Sequence, residues 1–256
     1  MRRDYLIRTS YRFVLVLDLI IGVIDVVVFY FISETFRGGA TTSLGAAPTY
    51  FAFALVGIAV TAVVQATSSG IASGIREEQL TGTLEALVTQ PVNAIEMALG
   101  MCGLPFVLAT FRVGLYLVVG GALLGVDFSH TDWVGFVLVL GATGTAMSAI
   151  GIVTAATVVV VKRGQSISGL IIFGMGLVGG AVFPIAVLPE WLQVIGRVVP
   201  PRFAYDGLRH ALYVGSGWVG DALVLIGFSV VTVPLAVWLF NRAILYGRRA
   251  GSLAQY

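Results

Sequence analysis

Charged side chains lie within long apolar stretches of the sequence, where a charge needs a partner or water. Asp18 and Asp25 are two helical turns apart, so a helix would present both on one side, and Arg112 lies in another apolar run. Counted along each run at 1.5 Å per residue, Asp25 and Arg112 reach similar depths, roughly 18 and 22 Å. Because an isolated charge at such depth is costly, we predict an intramembrane pair of Asp25 with Arg112. Asp18 is left over, either in headgroup water or as a negative site that faces a cationic substrate.

Residues typical of catalysis are few. Lys162 is the only lysine, and it is not part of a G-x-x-x-x-G-K-[ST] loop, so any ATP must be hydrolysed by a partner. Residues 174–179 match G-x-G-x-x-G, but they lie in an apolar stretch without a preceding strand, and close helix packing explains them better. His130 and His210 have no metal-ligand motif around them. We therefore predict no catalytic residue, no metal site and no bound cofactor.

Composition defines the class of protein that must position these charges. Of 256 residues, 58% are hydrophobic and only 11% are charged, against about 25% in soluble domains, and the mean hydropathy is +0.97. These values exclude a soluble enzyme, a disulfide scaffold and a disordered chain. Continuous apolar runs long enough for a membrane helix, without the alternation of a β-barrel, predict an all-α polytopic membrane protein. The six predicted spans are 13–32, 50–74, 97–124, 133–161, 166–188 and 219–241. Pro105 predicts a bend in the third span.

The distribution of basic residues predicts the orientation. If the N-terminus is cytoplasmic, most arginines and the lysine fall in inner loops and termini, as the positive-inside rule requires. Both termini are then cytoplasmic. Residues 1–12 place four arginines among Tyr and Leu, which fits an amphipathic helix on the inner membrane surface or a simple basic anchor.

The most polar helix-compatible stretch is residues 75–91, between the second and third predicted spans. Glu77, Glu78 and Glu85 would face the cytoplasm, while leucines recur at helical spacing. Gly82, which is followed by Thr83, has no side-chain bulk where a partner backbone could approach. A short helix that docks a soluble partner and a solvated loop are both compatible with this pattern.

Two motifs carry a family resemblance. Residues 78–91 read E-x-x-x-G-T-L-E-x-L-x-x-x-P and resemble the cytoplasmic coupling helix of type-2 ABC exporter permeases. Residues 183–192, F-P-x-x-x-L-P-x-W-L, and 200–209, P-P-x-x-x-Y-D-x-x-R, resemble the outer loop of the same family. The resemblance implies a single permease domain over residues 1–256, with re-entrant outer helices within 184–213 before the last span.

The resemblance also implies partners and residue roles. The permease would form a homodimer and bind two ABC ATPase subunits, which carry ATP and Mg. The residues implied in ATPase coupling are Glu77, Glu78, Gly82, Thr83 and Glu85. Those implied in the outer gate are Pro184, Pro189, Trp191, Asp206 and Arg209. Trp191 is also compatible with a purely interfacial anchor.

The function expected from the sequence is that of a permease subunit, not an enzyme, in the cell membrane and in contact with lipid but not with nucleic acid. It would export an amphipathic small molecule, either a drug-like compound or a lipid. Export of a lipid-linked polysaccharide is the alternative within the same fold. A membrane scaffold without transport is the alternative from another class, and it would use residues 75–91 to bind an adaptor.

Overall fold

The computed structural model describes residues 12–35, 44–81, 94–160 and 164–249, and every regular element in these ranges is a helix. The eight α-helices are α1 Arg12–Thr35, α2 Tyr50–Leu80, α3 Ala94–Val118, α4 Trp133–Val160, α5 Gly164–Val178, α6 Glu190–Val198, α7 Pro200–Arg209 and α8 Trp218–Arg249. π-Helical turns continue α3 over Val119–Leu123 and α7 over His210–Val214, and a 3₁₀ turn covers Ile185–Val187. The predicted all-α class is confirmed for these residues.

Among the described residues, five helices, α1 to α4 and α8, are long and apolar enough to cross a membrane. They coincide with the predicted runs 13–32, 50–74, 97–124, 133–161 and 219–241, with shifts of a few residues at most ends. Pro105 lies inside α3, and the helix continues through it. The predicted surface helix 1–12 lies outside the described residues except for Arg12, the first residue of α1.

The second helix is longer than its predicted span. It continues past residue 74 to Leu80, because Ile71, Ala72 and Ile75 keep the apolar helical spacing and are all buried. The predicted coupling segment 75–91 therefore begins as the last turns of α2 instead of as a separate helix. Residues 82–93 lie outside the described part of the chain.

The fifth predicted span, 166–188, is replaced by a shorter helix. α5 ends at Val178 because Gly180 takes a left-handed conformation, with φ of 89°. The N–H of Ala181 donates to the carbonyl of Gly176, and the N–H of Gly180 donates to that of Leu177. This pair of bonds is a Schellman motif, in which glycine is strongly favoured.

The centre of the bundle is α2, which packs between α3 and α4, while α4 packs between α2 and α8. Ser68 of α2 donates a hydrogen bond to the carbonyl of Met147 in α4, at 3.2 Å. Next to this bond, Gly151 approaches the α2 backbone so closely that a Cβ would lie 2.7 Å from the carbonyl oxygen of Thr67. At the other end of α2, Gly57 lies directly against the backbone carbonyl of Ala181. Small residues thus let helix backbones meet, as is common in membrane bundles.

The first helix packs against α2 and α3 but leaves much of its surface exposed. Its contacts with α3 include an ion pair of Asp18 with Arg112, and Tyr116 lies against the backbone of Gly22 one turn further along. Both helices advance by four residues between these contacts, so α1 and α3 run parallel with a constant offset.

The predicted outer segment 184–213 forms the 3₁₀ turn, α6, α7 and the turn that follows α7. α7 packs against α2, α4 and α8, and it buries Ala204, Tyr205 and Leu208. α6 packs against α5 and α7 but exposes an apolar side. We call this end of the bundle the α7 end, and the opposite end, where α2 stops, the Glu77 end.

The start of α4 is fixed at the α7 end by Asp132. Its carboxylate accepts hydrogen bonds from the backbone N–H groups of Val134 and Gly135 and, at 2.9 Å, from the indole of Trp218. These bonds, that from Gly135 above all, lower the pKa of Asp132 below its usual value. The N-cap therefore also ties α4 to the first residue of α8.

Candidate functional site

A cleft of about 490 Å³ opens between α1, α2 and α3. It lies in the half of the bundle that includes the Glu77 end, because α2 enters it from Ala62 to Ser73. Its lining combines two charges and three uncharged polar side chains with apolar walls. The lining residues are Asp18, Leu19, Ala62, Gln65, Ala66, Ser69, Gly70, Ser73, Pro105, Leu108, Ala109, Phe111 and Arg112.

An ion pair forms one wall of this cleft. Nη2 of Arg112 donates a hydrogen bond to Oδ2 of Asp18. The side chain of Arg112 is 25% exposed and that of Asp18 is 52% exposed, so both groups face the open space of the cleft. Two opposite charges on helices apolar enough to cross a membrane thus neutralise each other at a surface open to the cleft.

This pairing corrects the partner predicted from the sequence, because Arg112 binds Asp18 and not Asp25. The sequence-based estimate of depth assumed that the two apolar runs begin at the same height in the membrane. The parallel register of α1 and α3 instead places Arg112 beside Asp18 and places Asp25 about two turns higher, roughly 10 Å away along α1. Asp25 is exposed on α1 and forms no ion pair with another described residue.

A row of uncharged polar side chains on α2 faces the ion pair across the cleft. Gln65, Ser69 and Ser73 follow one another at intervals of four, which puts them on one side of the helix. The hydroxyl of Ser73 donates within its own helix, at 2.8 Å to the carbonyl of Ser69. The amide of Gln65 and the hydroxyl of Ser69 make no hydrogen bond with any other described residue, so they are available to a ligand.

Sequence reasoning missed this polar row. The spacing of four within the predicted span 50–74 was the available signal, since uncharged polar residues on one side of a membrane helix mark a surface that avoids lipid.

The glutamates predicted to dock a partner lie in different environments. At the end of α2, Glu77 is exposed, whereas Glu78 is only 7% exposed and is part of the protein interior. The structure therefore leaves Glu77 available to a partner and gives Glu78 a place inside the bundle. Gly82, Thr83 and Glu85 lie outside the described residues.

At the α7 end, Arg209 occupies the centre of a buried polar cluster. Its Nη2 donates to the backbone carbonyl of Gly180 at 2.9 Å, and lies 3.2 and 3.3 Å from those of Phe53 and Ala181. Its Nη1 lies 3.6 Å from a carboxylate oxygen of Asp206, and its guanidinium carbon lies 3.5 Å from the centre of the Phe53 ring. The side chain, which is 3% exposed, thus joins α7 to the start of α2 and to the turn after α5.

Burial dominates the electrostatics of this cluster. It lowers the pKa of Arg209 to about 10, against the opposing effect of Asp206, so the guanidinium stays charged at neutral pH. Burial also raises the pKa of Tyr205 and of Tyr213. The hydroxyl of Tyr205 lies 3.0 Å from that of Thr61, and Tyr213 donates to the carbonyl of Ala52 at 2.8 Å.

Sequence reasoning named Asp206 and Arg209 at this end, included Tyr205 only as part of the outer-loop motif, and did not name Tyr213. Both tyrosines bond to α2, so that α7 is fastened to α2 at several points. A second cavity, of about 260 Å³, lies beside the cluster and is lined by Asp206, Arg209 and Pro184 among others.

The remaining residues predicted for the outer gate lie at the surface of the α7 end. Pro184 is partly buried at the cavity, whereas Pro189 is exposed immediately before α6. Trp191 is 66% exposed and shares one side of α6 with the exposed Val194 and Val198. That side presents a continuous apolar strip of the kind found at membrane interfaces.

Comparison with protein-family models matches residues 2–213 to the ABC-2 type transporter family, and the chain therefore belongs to this family. Its members are transmembrane permease subunits of ABC transporters and are not themselves catalytic. Several of the described helices are long and apolar enough to cross a membrane, as expected for a multi-pass protein of this family. The Linearmycin resistance permease protein LnrN of Bacillus subtilis (strain 168) is 25% identical over 173 residues, which is 66% of this chain. The match spans only 44% of the length of that relative.

Proposed function

We propose that the chain is the permease subunit of an ATP-driven exporter of amphipathic small molecules, either drug-like compounds or lipids. The complex contains two permease subunits and two ABC ATPase subunits, which bind ATP and Mg. The chain lies in the cell membrane with the Glu77 end and both termini in the cytoplasm. α5, together with the turn that follows it, supplies the fifth of six spans, and α8 is the last.

The observation that supports this proposal best is the course of α2. This helix carries the polar row of the cleft and exposes Glu77, one turn beyond Ser73, in its last turn before it ends at Leu80. An ATPase that binds the Glu77 end would therefore hold the helix that forms one wall of the cleft. Because a helix of 31 residues is a rod of roughly 45 Å, movement at its end changes the width of the cleft directly.

The dimensions of the cleft support a small cargo. Its volume, about 490 Å³, falls in the range of roughly 300–1,000 Å³ that is typical of small-molecule sites. LnrN, the relative with a matching region, is described as a permease for resistance to linearmycin, which supports a cargo of the same general kind for this chain.

The exposed surface of α1 supports a second permease subunit. Asp25 lies there among the exposed apolar side chains Ile21, Ile24 and Val28. Exposing a carboxylate to lipid tails costs about 2.5 kcal/mol or more. Contact with a protein partner is therefore more favourable for Asp25 than contact with lipid. We propose that a second copy of this chain is the partner that covers Asp25.

The α7 end forms the outer gate in this proposal. Trp191 places α6 at the interface between membrane and water. α7 closes the outer end of the bundle, where Asp206 and Arg209 hold it in place. Opening of the gate requires the contacts of Arg209 with the turn after α5 to break or to move as one unit.

Charge reversal at the Glu77 end tests the coupling. The candidate ABC ATPase subunit is co-expressed with wild-type permease, with Glu77→Lys or with Glu190→Lys, and complex yield and ATP hydrolysis are measured. Glu190 is a matched control because it is exposed but lies at the α7 end. Loss of complex or of hydrolysis only in Glu77→Lys supports the proposal. Equal yields and rates for all three chains would contradict docking at this end and favour a scaffold without transport.

A further inference from the structure

We propose that the cleft between α1, α2 and α3 binds a neutral amphiphile whose polar part carries hydroxyl or amide groups. This assignment rests on the proposed transport function and specifies the chemical class of its cargo. It follows from three properties of the cleft, namely its net charge, its unused hydrogen-bonding groups and its apolar walls.

The ion pair makes the cleft electrically neutral. A cationic ligand would compete with Arg112 for Asp18 and be repelled by the guanidinium, and an anionic ligand would meet the reverse, so either would weaken the pair. At membrane depth, breaking such a pair by removing one partner is costly, because it leaves an uncompensated charge in a medium of low polarity. A neutral ligand adds hydrogen bonds to the pair without breaking it.

The free polar groups offer both donors and acceptors. The amide of Gln65 supplies two N–H donors and one acceptor, and the hydroxyl of Ser69 supplies one donor and two lone pairs. Opposite them, the side chain of Arg112 is 25% exposed and supplies N–H donors, although its Nε is buried. Hydroxyl and amide groups match this mixture because each donates and accepts, whereas a purely cationic or anionic head group does only one of the two.

The walls beside the polar row fit an apolar chain. Leu19, Leu108 and Phe111 line the cleft, and Phe111 is 64% exposed. An aliphatic tail that covers such side chains removes apolar surface from water wherever water enters the cleft. A ligand with one polar and one apolar part therefore satisfies both halves of the lining.

Protection of an introduced thiol tests the assignment in the permease alone. The native Cys102 is replaced by alanine, and Ser73→Cys places a thiol on the lining of the cleft. In nanodiscs, the rate of labelling by a water-soluble maleimide is measured with three probes that share a dodecyl chain. These are dodecyl β-D-maltoside, dodecyltrimethylammonium and dodecanoate, each below its micellar concentration. Thr157→Cys is the control, since Thr157 is exposed on α4 and does not line the cleft.

The maltoside is expected to slow labelling of Ser73→Cys and to leave Thr157→Cys unchanged. At a maltoside concentration of about four times its Kd, labelling should slow about fivefold. The reason is that the fraction of permease with an empty cleft falls as 1/(1 + [L]/Kd), where [L] is the maltoside concentration. Dodecyltrimethylammonium and dodecanoate are expected to protect much less. Equal protection by the three probes, stronger protection by a charged probe, or none at all would overturn the assignment.

Side-chain variants add a second readout. Gln65→Leu and Ser69→Ala are each expected to raise the Kd for the maltoside up to about tenfold, since each removes hydrogen bonds to the ligand. Ser148→Ala, on α4 and outside the cleft, is the matched control. If Ser73→Cys does not fold, Phe111→Cys provides a thiol on the same lining. The two proposals can fail separately. If the maltoside protects Ser73→Cys selectively but Glu77→Lys still forms an active complex with the ATPase, the proposed coupling is refuted and the assignment of the ligand class stands.

Discussion

Loss of Arg209 is expected to destabilise the α7 end strongly. Arg209→Met removes the charge but keeps an unbranched apolar side chain of similar length. The carbonyls of Phe53, Gly180 and Ala181 then lose their shared donor, and Asp206 loses one of its two basic neighbours. The turn after α5 would no longer be fastened to α2 by this side chain.

The magnitude follows from the contacts. The two N–H groups of Nη2 are shared among three carbonyls, which we count as two charge-assisted hydrogen bonds of about 1.5–3 kcal/mol each. Release of the buried charge offsets part of this loss, so we expect a net cost of about 3–5 kcal/mol from the lost hydrogen bonds and from the carbonyls left without this donor. At about 2–4 °C per kcal/mol for a chain of this size, Tm should fall by roughly 6–20 °C.

The assay uses the native cysteine. Cys102 is the single cysteine and is buried, so a thiol-reactive dye reports global unfolding in detergent. Arg202→Met is the matched control, because Arg202 is 31% exposed and pairs with the same Asp206 at 3.3 Å. Exposed pairs contribute about 0–1 kcal/mol, so its Tm should fall by no more than a few degrees. Similar Tm values for the two variants would refute the argument that burial makes Arg209 the anchor.

Three further predictions concern packing, pairing and pH. Gly57→Ala should cost about 1–3 kcal/mol because a methyl group would overlap a backbone carbonyl, whereas Gly114→Ala, with open space around it, should cost nothing measurable in the same thermal assay. A double-mutant cycle of Asp18→Ala and Arg112→Ala should give a coupling of about 1 kcal/mol, and additive effects would contradict the pair. Hydrogen bonds lower the pKa of Asp132, so its carboxylate stabilises the folded state above its ordinary pKa and loses this effect as pH falls through the lowered pKa. The Tm difference between wild type and Asp132→Asn should thus shrink at acid pH, and a constant difference would contradict this reasoning.

The sequence predicted the long helices well because each apolar run exceeds the length of a membrane span, a signal that does not depend on tertiary contacts. It overestimated the fifth span because residues 179–188 are apolar, although Gly180 ends the helix by its backbone conformation. It ended the second span at residue 74 because residues 75–91 are polar enough to suggest either a separate short helix or a solvated loop. Burial of Glu78 depends on neighbouring helices and is not visible in the local sequence.

The charges illustrate what a sequence leaves open. Their presence in apolar runs predicted a partner for Arg112, but the choice between Asp18 and Asp25 depends on the register of α1 against α3. That register is set by side-chain packing, such as Tyr116 against Gly22. The burial of Arg209 was hidden for a similar reason, since it requires the return of α7 onto the start of α2.

The central claim is that ATP binding by the partner changes the cleft through α2. It is tested most directly by the maleimide labelling rate of Ser73→Cys in the Cys102→Ala permease, assembled with its ATPase subunit, with and without a non-hydrolysable ATP analogue. We predict that the analogue changes the rate at Ser73→Cys several-fold and leaves that at Thr157→Cys unchanged. A rate at Ser73→Cys that is the same with and without nucleotide, in a complex that binds the analogue, would contradict the claim.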